Sequence, residues 1–166
     1  MDMLVNLSRL PEVKAPDGVH IVRVQPPDRG RMLAFVEKTF GQGWASECGM
    51  ALSFLPCRCF AAVRNGEPIG FSCYDATAKG FFGPIGLSST ERGHGTGAAL
   101  LIAALQAMRE EGYGYAVIGW CDEAQDFYRK TVNAIPIPGS EPTHSVYREL
   151  FRFQKDDAGS SRYESE

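Results

Sequence analysis

From residue 87 to residue 98 the chain reads Leu87-Ser88-Ser89-Thr90-Glu91-Arg92-Gly93-His94-Gly95-Thr96-Gly97-Ala98, and a helical pattern rich in Ala and Leu follows. The alternating glycines permit turn angles that other residues resist, and they let a ligand approach the backbone closely. A glycine-rich turn that opens a helix presents unpaired backbone N–H groups beside the positive end of the helix dipole. The stretch therefore predicts a phosphate or pyrophosphate site. The alternative is a sharp turn that binds nothing.

The composition is that of one folded domain. Of the 166 residues, 44% are hydrophobic and 22% are charged, which is ordinary for a globular protein. The formal net charge of -3 gives no basis for nucleic-acid binding, which needs a basic face. No apolar run approaches the roughly 20 residues that span a bilayer, and residues 1–16 lack the pattern of a secretory signal. We expect a cytoplasmic protein with no nucleic-acid or membrane partner.

The cysteines indicate a reducing compartment. There are five, an odd number, and most lie in apolar, strand-like surroundings, which favours free thiols over a disulfide framework. Cys57 and Cys59 have the wrong spacing for a zinc knuckle, and they would share one face of a strand as small core residues. We therefore predict no metal site.

Hydrophobic periodicity predicts a mixed sheet with helices packed on it. A helix begins after Asp28 and ends before Gly41, a less regular second helix lies within 44–54, and Asn65-Gly66 indicates a two-residue hairpin turn. Further helices are expected at about 97–111 and 123–130. Strands are expected at 19–24, 57–64, 68–74, 81–87, 115–120, 135–137 and 146–153.

The fourth of these strands contains Gly83 and Pro84. Because proline cannot donate a hydrogen bond to its neighbouring strand, we expect a bulge there or a strand that splays away from the sheet.

Two motifs resemble those of the GNAT superfamily of N-acetyltransferases. Arg92, Gly95 and Gly97 match its acyl-CoA loop. Ala124, Phe127 and Tyr128 match a second segment, in which a helix follows a strand. The resemblance covers about residues 19–153. It implies an α+β (mixed α/β) domain at 17–154 with a mostly antiparallel, twisted sheet of six to seven strands, splayed at the fourth, and about four helices. Residues 1–16 are then an irregular lead-in, and 155–166 a disordered tail.

The resemblance also implies a reaction, in which acetyl-CoA passes its acetyl group to an amine by direct attack. Tyr128 would be the acid that assists the departing thiolate, and a free N–H on the splayed strand would polarise the thioester carbonyl. His94 would contact the ligand through its backbone. The residues expected to bind the coenzyme are Ile85, Gly86, Leu87, Arg92, Gly93, His94, Gly95, Thr96, Gly97, Ala98 and Cys121.

The chain departs from the family in ways that bear on the base and the pantetheine contact. Cys121 stands where the family often has Asn, and residues 81–86 contain no carboxylate. We therefore take Glu47 as the candidate base, with Asp75, His144 or a water chain as alternatives. A small-molecule primary amine is the expected acceptor, with a protein amine second, and a homodimer is compatible with the sequence. Aromatic residues that could line the acceptor pocket are Trp44, Phe54, Tyr74 and Trp120.

Two other functions fit parts of the sequence. Gly93, Gly95 and Ala98 also satisfy a dinucleotide fingerprint, with Asp122 beyond the next strand, as in a Rossmann oxidoreductase. However, polar residues separate this fingerprint from the preceding strand. A non-catalytic acyl-CoA-binding module on the same fold is the second alternative, since a fold does not prove activity.

Overall fold

The computed structural model describes residues 1–154, which form a seven-stranded sheet and four α-helices. The helices are α1 (Arg29–Phe40), α2 (Gln42–Ala51), α3 (Thr96–Glu110) and α4 (Gln125–Val132). The strands are β1 (Met3–Asn6), β2 (His20–Arg23), β3 (Cys59–Arg64), β4 (Glu67–Tyr74), β5 (Phe81–Leu87), β6 (Tyr115–Ile118) and β7 (Ile135–Pro136). The predicted α+β class and the predicted numbers of strands and helices are confirmed. The predicted tail at 155–166 lies outside the described residues.

The strands lie in the order β2-β3-β4-β5-β6-β1-β7. Only β5 and β6 run parallel, and the other five pairings within residues 1–154 are antiparallel. A Rossmann domain requires a doubly wound parallel sheet. The dinucleotide alternative therefore loses its structural basis.

Helices cover both faces of the sheet. On one face α3 buries Leu101 and Leu105 against a cluster that includes Phe82 of β5. On the other face α1 and α2 cover a second cluster that includes Phe71 and Cys73 of β4. Phe71 and Cys73 thus point to one layer and the adjacent Tyr74 to the other, because successive residues of a strand point to opposite faces. Within residues 1–154 no helix is long and apolar enough to cross a membrane.

The turn and bulge predicted from the sequence are both confirmed. Asn65 and Gly66 join β3 to β4 with φ of 51° and 77°, the left-handed values that a tight hairpin turn requires. In β5, Phe82 lies opposite Tyr74 and Ile85 lies opposite Ser72, so β5 has one residue more than β4 over this interval. An extra residue of this kind bends the strand that carries it.

The sequence indicated an irregular lead-in at residues 1–16, but part of this segment is a strand, β1. Met3 and Val5 are fully buried, and β1 lies between β6 and β7 and pairs with both. Four residues are too few to show a strand period. The segment becomes a strand because two distant strands supply its hydrogen bonds.

The predicted final strand at 146–153 is wrong. This segment forms short 3-10 helices at Val146–Glu149 and Phe151–Phe153. The edge beyond β7 offers little backbone to pair with, because β7 has only two residues and one of them is Pro136. Here β1 already occupies the inner position between β6 and β7. The C-terminal segment instead lies across the end of β6, where Tyr147 packs against Trp120.

Candidate active site

The glycine-rich loop presents backbone N–H groups that the protein does not use. Gly93 and Gly95 have φ of 82° and 92°, and α3 begins directly afterwards at Thr96. Among the hydrogen bonds of residues 1–154, none is donated by the amides of residues 92–98, and the amide of Ala99 is the first to bond, to Gly95. Together with the helix dipole, these groups form an anion site.

Thr96 gives an independent sign that this loop holds a ligand. Its side chain is buried, and its hydroxyl is the one buried side-chain polar atom without a hydrogen-bond partner among the described residues. Leaving such a group unsatisfied costs about 1–3 kcal/mol. A phosphate oxygen at the loop would accept the missing hydrogen bond. Arg92 and His94 are exposed beside it.

A crevice opens beside the loop because β5 and β6 part. Their pairing consists of Phe81 with Val117 and Phe82 with Ile118, and it ends there. Residues 83–87 continue alongside β4 alone, so their other edge is available to a ligand that lies like an added strand. Gly86 has a different role, because a Cβ at this position would come within 2.7 Å of the Phe40 ring.

Tyr128 lies on the α3 face where the strands part. Its ring packs edge-on against Phe82, with centroids 6.4 Å apart, and against Phe127 at 5.1 Å. The residue as a whole is 5% exposed. Its hydroxyl donates to no acceptor within residues 1–154 and, unlike that of Thr96, is not fully enclosed. Burial raises the pKa of the phenol above its ordinary value of 10. The group therefore stays protonated at neutral pH and can donate a hydrogen bond into the crevice.

Cys121 lies near both Tyr128 and Tyr147, and it raises the pKa of each phenol. The Cys121 thiol itself donates within the protein, to the carbonyl oxygens of Met1 and Ile118. Burial raises its pKa to about 11, which keeps it neutral. Its side chain thus makes internal contacts, and any coenzyme contact would have to be made beside them.

Glu47, the candidate base, lies on α2 at the opposite face of the sheet. It is half-buried, and Thr77 donates a hydrogen bond to its carboxylate. Burial raises the pKa of Glu47 above the ordinary 4.5, while the Thr77 hydrogen bond opposes this shift. A buried carboxylate with a raised pKa is a better proton acceptor than an exposed one.

The two alternative bases differ from Glu47 in their surroundings. His144 is exposed, 3.7 Å from Glu141. Asp75 is not the surface residue that its hairpin position indicated. Its side chain is only 2% exposed, and it accepts hydrogen bonds from Arg58, Tyr113 and the Gly80 amide. The Asp75 carboxylate therefore stabilises the connection between β4 and β5, to which Gly80 belongs.

The four aromatic residues considered for the acceptor pocket separate into core and surface groups. Tyr74 is fully buried, with its hydroxyl bonded to Glu111, and burial raises its pKa to about 12. Phe54 is covered by Arg58 at 3.9 Å. Trp44 stacks on Phe40, whereas Trp120 contacts the C-terminal segment. Only Trp120 lies directly at the end of β6.

Two residues near the candidate site, Thr77 and Tyr147, could not be predicted from the sequence. Thr77 sits in the loop between β4 and β5, and Tyr147 lies in the segment that had been predicted as a strand. No motif or spacing marks either residue, because each becomes adjacent to Glu47 or Gly119 only through the fold.

The cysteines form a buried cluster that the spacing did not indicate. The Sγ atoms of Cys48, Cys59 and Cys73 lie within 4.8 Å of one another, so by distance these are the residues that could hold a soft metal ion. All three are fully buried among apolar residues, and burial raises the pKa of Cys73. Cys48 and Cys59 share an S–H···S contact of 3.9 Å, and Cys59 also contacts the Phe60 carbonyl. Within the cluster, hydrogen bonds from Cys59 and Cys73 lower the pKa of Cys48 to about 4, whereas burial raises that of Cys73.

Comparison with solved structures places the fold among acetyltransferases. A GCN5-related N-acetyltransferase from Sphaerobacter thermophilus is 21% identical, with a TM-score of 0.64 over 81% of this chain and 47% of that chain. A second, from Kribbella flavida, is 20% identical, with a TM-score of 0.58 over 81% and 53%. A fungal GCN5-related glucosamine N-acetyltransferase region is 17% identical, with a TM-score of 0.61 over 79% of this chain and 19% of that chain. The chain thus spans about half the length of these proteins, or less.

A search of curated protein sequences found no match to this chain. A sequence model of the Acetyltransferase (GNAT) family matches residues 28–133, a span that includes the glycine-rich loop, both parted strands and α4. The chain belongs to the GNAT acetyltransferase family.

Proposed function

We propose that this chain transfers an acetyl group from acetyl-CoA to the primary amine of a small molecule, by direct attack in a ternary complex. The observation that carries the proposal is the loop at the head of α3, where unbonded amides and the unpartnered Thr96 hydroxyl adjoin the opening between β5 and β6. The diphosphate of acetyl-CoA would bind the loop, and its pantetheine arm would lie along residues 83–87.

The placement of Tyr128 and Glu47 supports this reaction. Phe81 and Phe82 are adjacent on β5, so their side chains point to opposite faces of the sheet at the place where the strands part. Tyr128 packs on Phe82 on the face covered by α3, and Glu47 belongs to α2 on the other face. An acid and a base would thus approach the thioester from opposite sides.

The step balances with these two groups. The amine nitrogen forms a bond to the acetyl carbon, and the carbon–sulfur bond breaks. The proton lost by the amine ends on Glu47, and Tyr128 donates a hydrogen bond to the departing sulfur. The cytoplasm, where the five thiols stay reduced, is the compartment we propose for the reaction.

A direct test is acetyl-CoA binding by calorimetry, followed by release of free thiol in a screen of amine acceptors. Saturable binding with amine-dependent thiol release would support the proposal. Binding without thiol release for any amine would favour the non-catalytic acyl-CoA-binding module. This alternative is retained because residues 81–87 contain no carboxylate that could act as the base.

Changing Gly95→Ala is expected to weaken acetyl-CoA binding about 5- to 30-fold. Gly95 has φ of 92°, and a side chain in the left-handed region costs about 1–2 kcal/mol, so the loop would relax and misdirect its amides. Calorimetric dissociation constants provide the measurement. Gly30→Ala is the matched control, because Gly30 lies in α1 with no atom within 4 Å of an added Cβ. Equal affinity of both variants would rule out loop recognition.

A further inference from the structure

Three cysteines from three separate elements meet in the layer between α2 and the sheet. Cys48 lies on α2, Cys59 begins β3, and Cys73 lies on β4 directly opposite Cys59 in the strand pairing. Their Sγ atoms lie within 4.8 Å of one another, and those of Cys48 and Cys59 are 3.9 Å apart. The chain spacing that led us to predict no metal site does not reveal this thiol triangle, because only the fold forms it.

The separations suit one ion at the centre of the thiol triangle. A zinc–thiolate bond is about 2.3 Å long, so three sulfurs arranged in a plane around an ion with such bonds lie about 4.0 Å apart. The separation of 3.9 Å between Cys48 and Cys59 matches this value, and even a separation of 4.8 Å exceeds it by only about 0.8 Å. Small rotations of the side chains would bring all three sulfurs into contact with one ion.

The set of donor atoms determines the kind of ion. Thiolates bind soft ions such as Cu(I) and Zn²⁺, whereas carboxylates and water suit hard ions such as Mg²⁺. Structural zinc is almost always four-coordinate. Among residues 1–154, however, no further Cys, His, Asp or Glu ligand atom lies within 4.8 Å of all three sulfurs. The three cysteines are 0% exposed, so water is a poor fourth ligand. Three sulfurs without a fourth donor favour Cu(I) over zinc.

We propose that Cys48, Cys59 and Cys73 bind one Cu(I) ion, a site that is independent of the acetyl-transfer function proposed above. Binding forms bonds between copper and the three sulfurs and releases thiol protons to the solvent. No electron is transferred, because the copper arrives already reduced.

One cation lies beside the thiol triangle. Arg29 donates a hydrogen bond of 3.3 Å to the carbonyl oxygen of Gly49, the residue after Cys48. With two thiols ionised, the Cu(I) site carries one negative charge, and a charge away from water needs an opposite charge nearby. Hydrogen bonding from Cys59 and, as a smaller cause, the charge of Arg29 lower the pKa of Cys48. This supports the site, since the thiolate is the form that binds metal.

The bound ion would attach α2 more firmly to the sheet. The buried residues of α2 are Cys48 and Ala51, so one of its two anchors is itself a ligand. A ligand that binds only the folded state shifts the equilibrium toward that state by a factor of one plus its concentration over Kd. At free Cu(I) ten times Kd, we expect hydrogen exchange of the α2 amides to slow about tenfold. Exchange in α4, on the opposite face, should change less.

The test uses the full reduced chain under anaerobic conditions, with Cu(I) buffered by the chelator bicinchoninate. We expect one Cu(I) per chain, and X-ray absorption should show a first shell of sulfur alone. Cys73→Ala should weaken binding at least about 100-fold, because changing a group that merely orients a ligand already costs about 10- to 100-fold. Cys57→Ala is the matched control. Cys57 is buried in the same cluster, but it lies outside the thiol triangle and its thiol contacts the Leu52 carbonyl.

Four results would overturn the site. They are the absence of stoichiometric binding, oxygen or nitrogen in the first shell, equal affinity of Cys73→Ala and the parent, and an equal loss in Cys57→Ala and Cys73→Ala. The first two are measured on the parent protein, so they decide the proposal even if Cys73→Ala does not fold. Displacement of Cu(I) by an equal concentration of Zn²⁺ would overturn the choice of ion. None of these measurements involves acetyl-CoA, so a failure here leaves the proposed function standing.

Discussion

Replacing Tyr128 with Phe is expected to slow acetyl transfer at least about 100-fold, which is the lower end of what a positioned acid contributes. The change removes one oxygen and keeps the ring that packs against Phe82 and Phe127. Its hydroxyl has no acceptor within residues 1–154 to leave unpaired, so stability should change little. The measurement is the rate of thiol release at saturating acetyl-CoA and amine.

The pH dependence of this effect has a defined sign. Burial raises the Tyr128 pKa above 10, so the phenol keeps its proton and remains a donor throughout the neutral and mildly alkaline range. The ratio of parent to variant rate should therefore be constant between about pH 6 and pH 9. A ratio that collapses in this range would mean that Tyr128 ionises there and that its surroundings differ from those described.

Tyr115→Phe is the matched control for this prediction. Tyr115 lies on β6 and is 58% exposed, and its hydroxyl is remote from the parted end of that strand. We expect its thiol release to stay within twofold of the parent rate. Unchanged thiol release in Tyr128→Phe would make Tyr128 a packing residue. Tight acetyl-CoA binding without amine-dependent release in the parent would instead indicate the non-catalytic module.

The features that could be predicted from sequence are the ones that short segments determine. Asn65 and Gly66 determine their turn because both residue types accept the positive φ that it requires. Pro84 disrupts β5 because it has no backbone N–H to donate. The bounds of β5 were predicted to the residue. The glycine loop and the Tyr128 segment were identified by motif, and both lie within residues 28–133, the span that the family model matches.

The features that could not be predicted depend on contacts between distant parts of the chain. Met3 pairs with Ile118, so nothing within the first ten residues reveals that they form an inner strand. The same holds for the site. Thr77 meets Glu47 only because the β4–β5 loop approaches α2, and Tyr147 meets Gly119 only because the C-terminal segment crosses the end of β6. Glu47 itself could be suggested from sequence, but its burial and its partner could not.

Removing the carboxylate of Asp75 is expected to produce the largest loss of stability. Asp75 lies at the end of β4 with its side chain 2% exposed, 2.6 Å from Arg58, whose side chain is 16% exposed. Deleting one partner of a buried ion pair costs about 3–5 kcal/mol. Here Arg58 keeps a contact with Glu111 at 3.0 Å, but the Tyr113 hydroxyl and the Gly80 amide also lose their acceptor. Asp75→Ala should lower the free energy of unfolding by about this amount, as measured by urea denaturation with an unchanged m-value.

Two further variants separate the causes of this loss. Asp75 has φ of 52°, a conformation that Asn tolerates and Ala resists, so Asp75→Asn keeps the backbone while it removes the charge. We expect its loss to be smaller than that of Asp75→Ala. Asp126→Ala breaks an exposed pair with Arg129, in which Asp126 is 81% exposed, and should cost no more than about 0.5 kcal/mol.

The same variants decide whether Asp75 could be the catalytic base. If Asp75 were the base, Asp75→Asn would slow thiol release by more than its loss of folded protein explains. We expect folded Asp75→Asn to keep the parent rate of thiol release within a few-fold. In the parent protein the Asp75 carboxylate already accepts hydrogen bonds from Arg58, Tyr113 and the Gly80 amide, so it is not available to an amine. An unfolding free energy within about 1 kcal/mol of the parent in Asp75→Ala would contradict the structural role. A 100-fold slower but fully folded Asp75→Asn would transfer the base from Glu47 to Asp75.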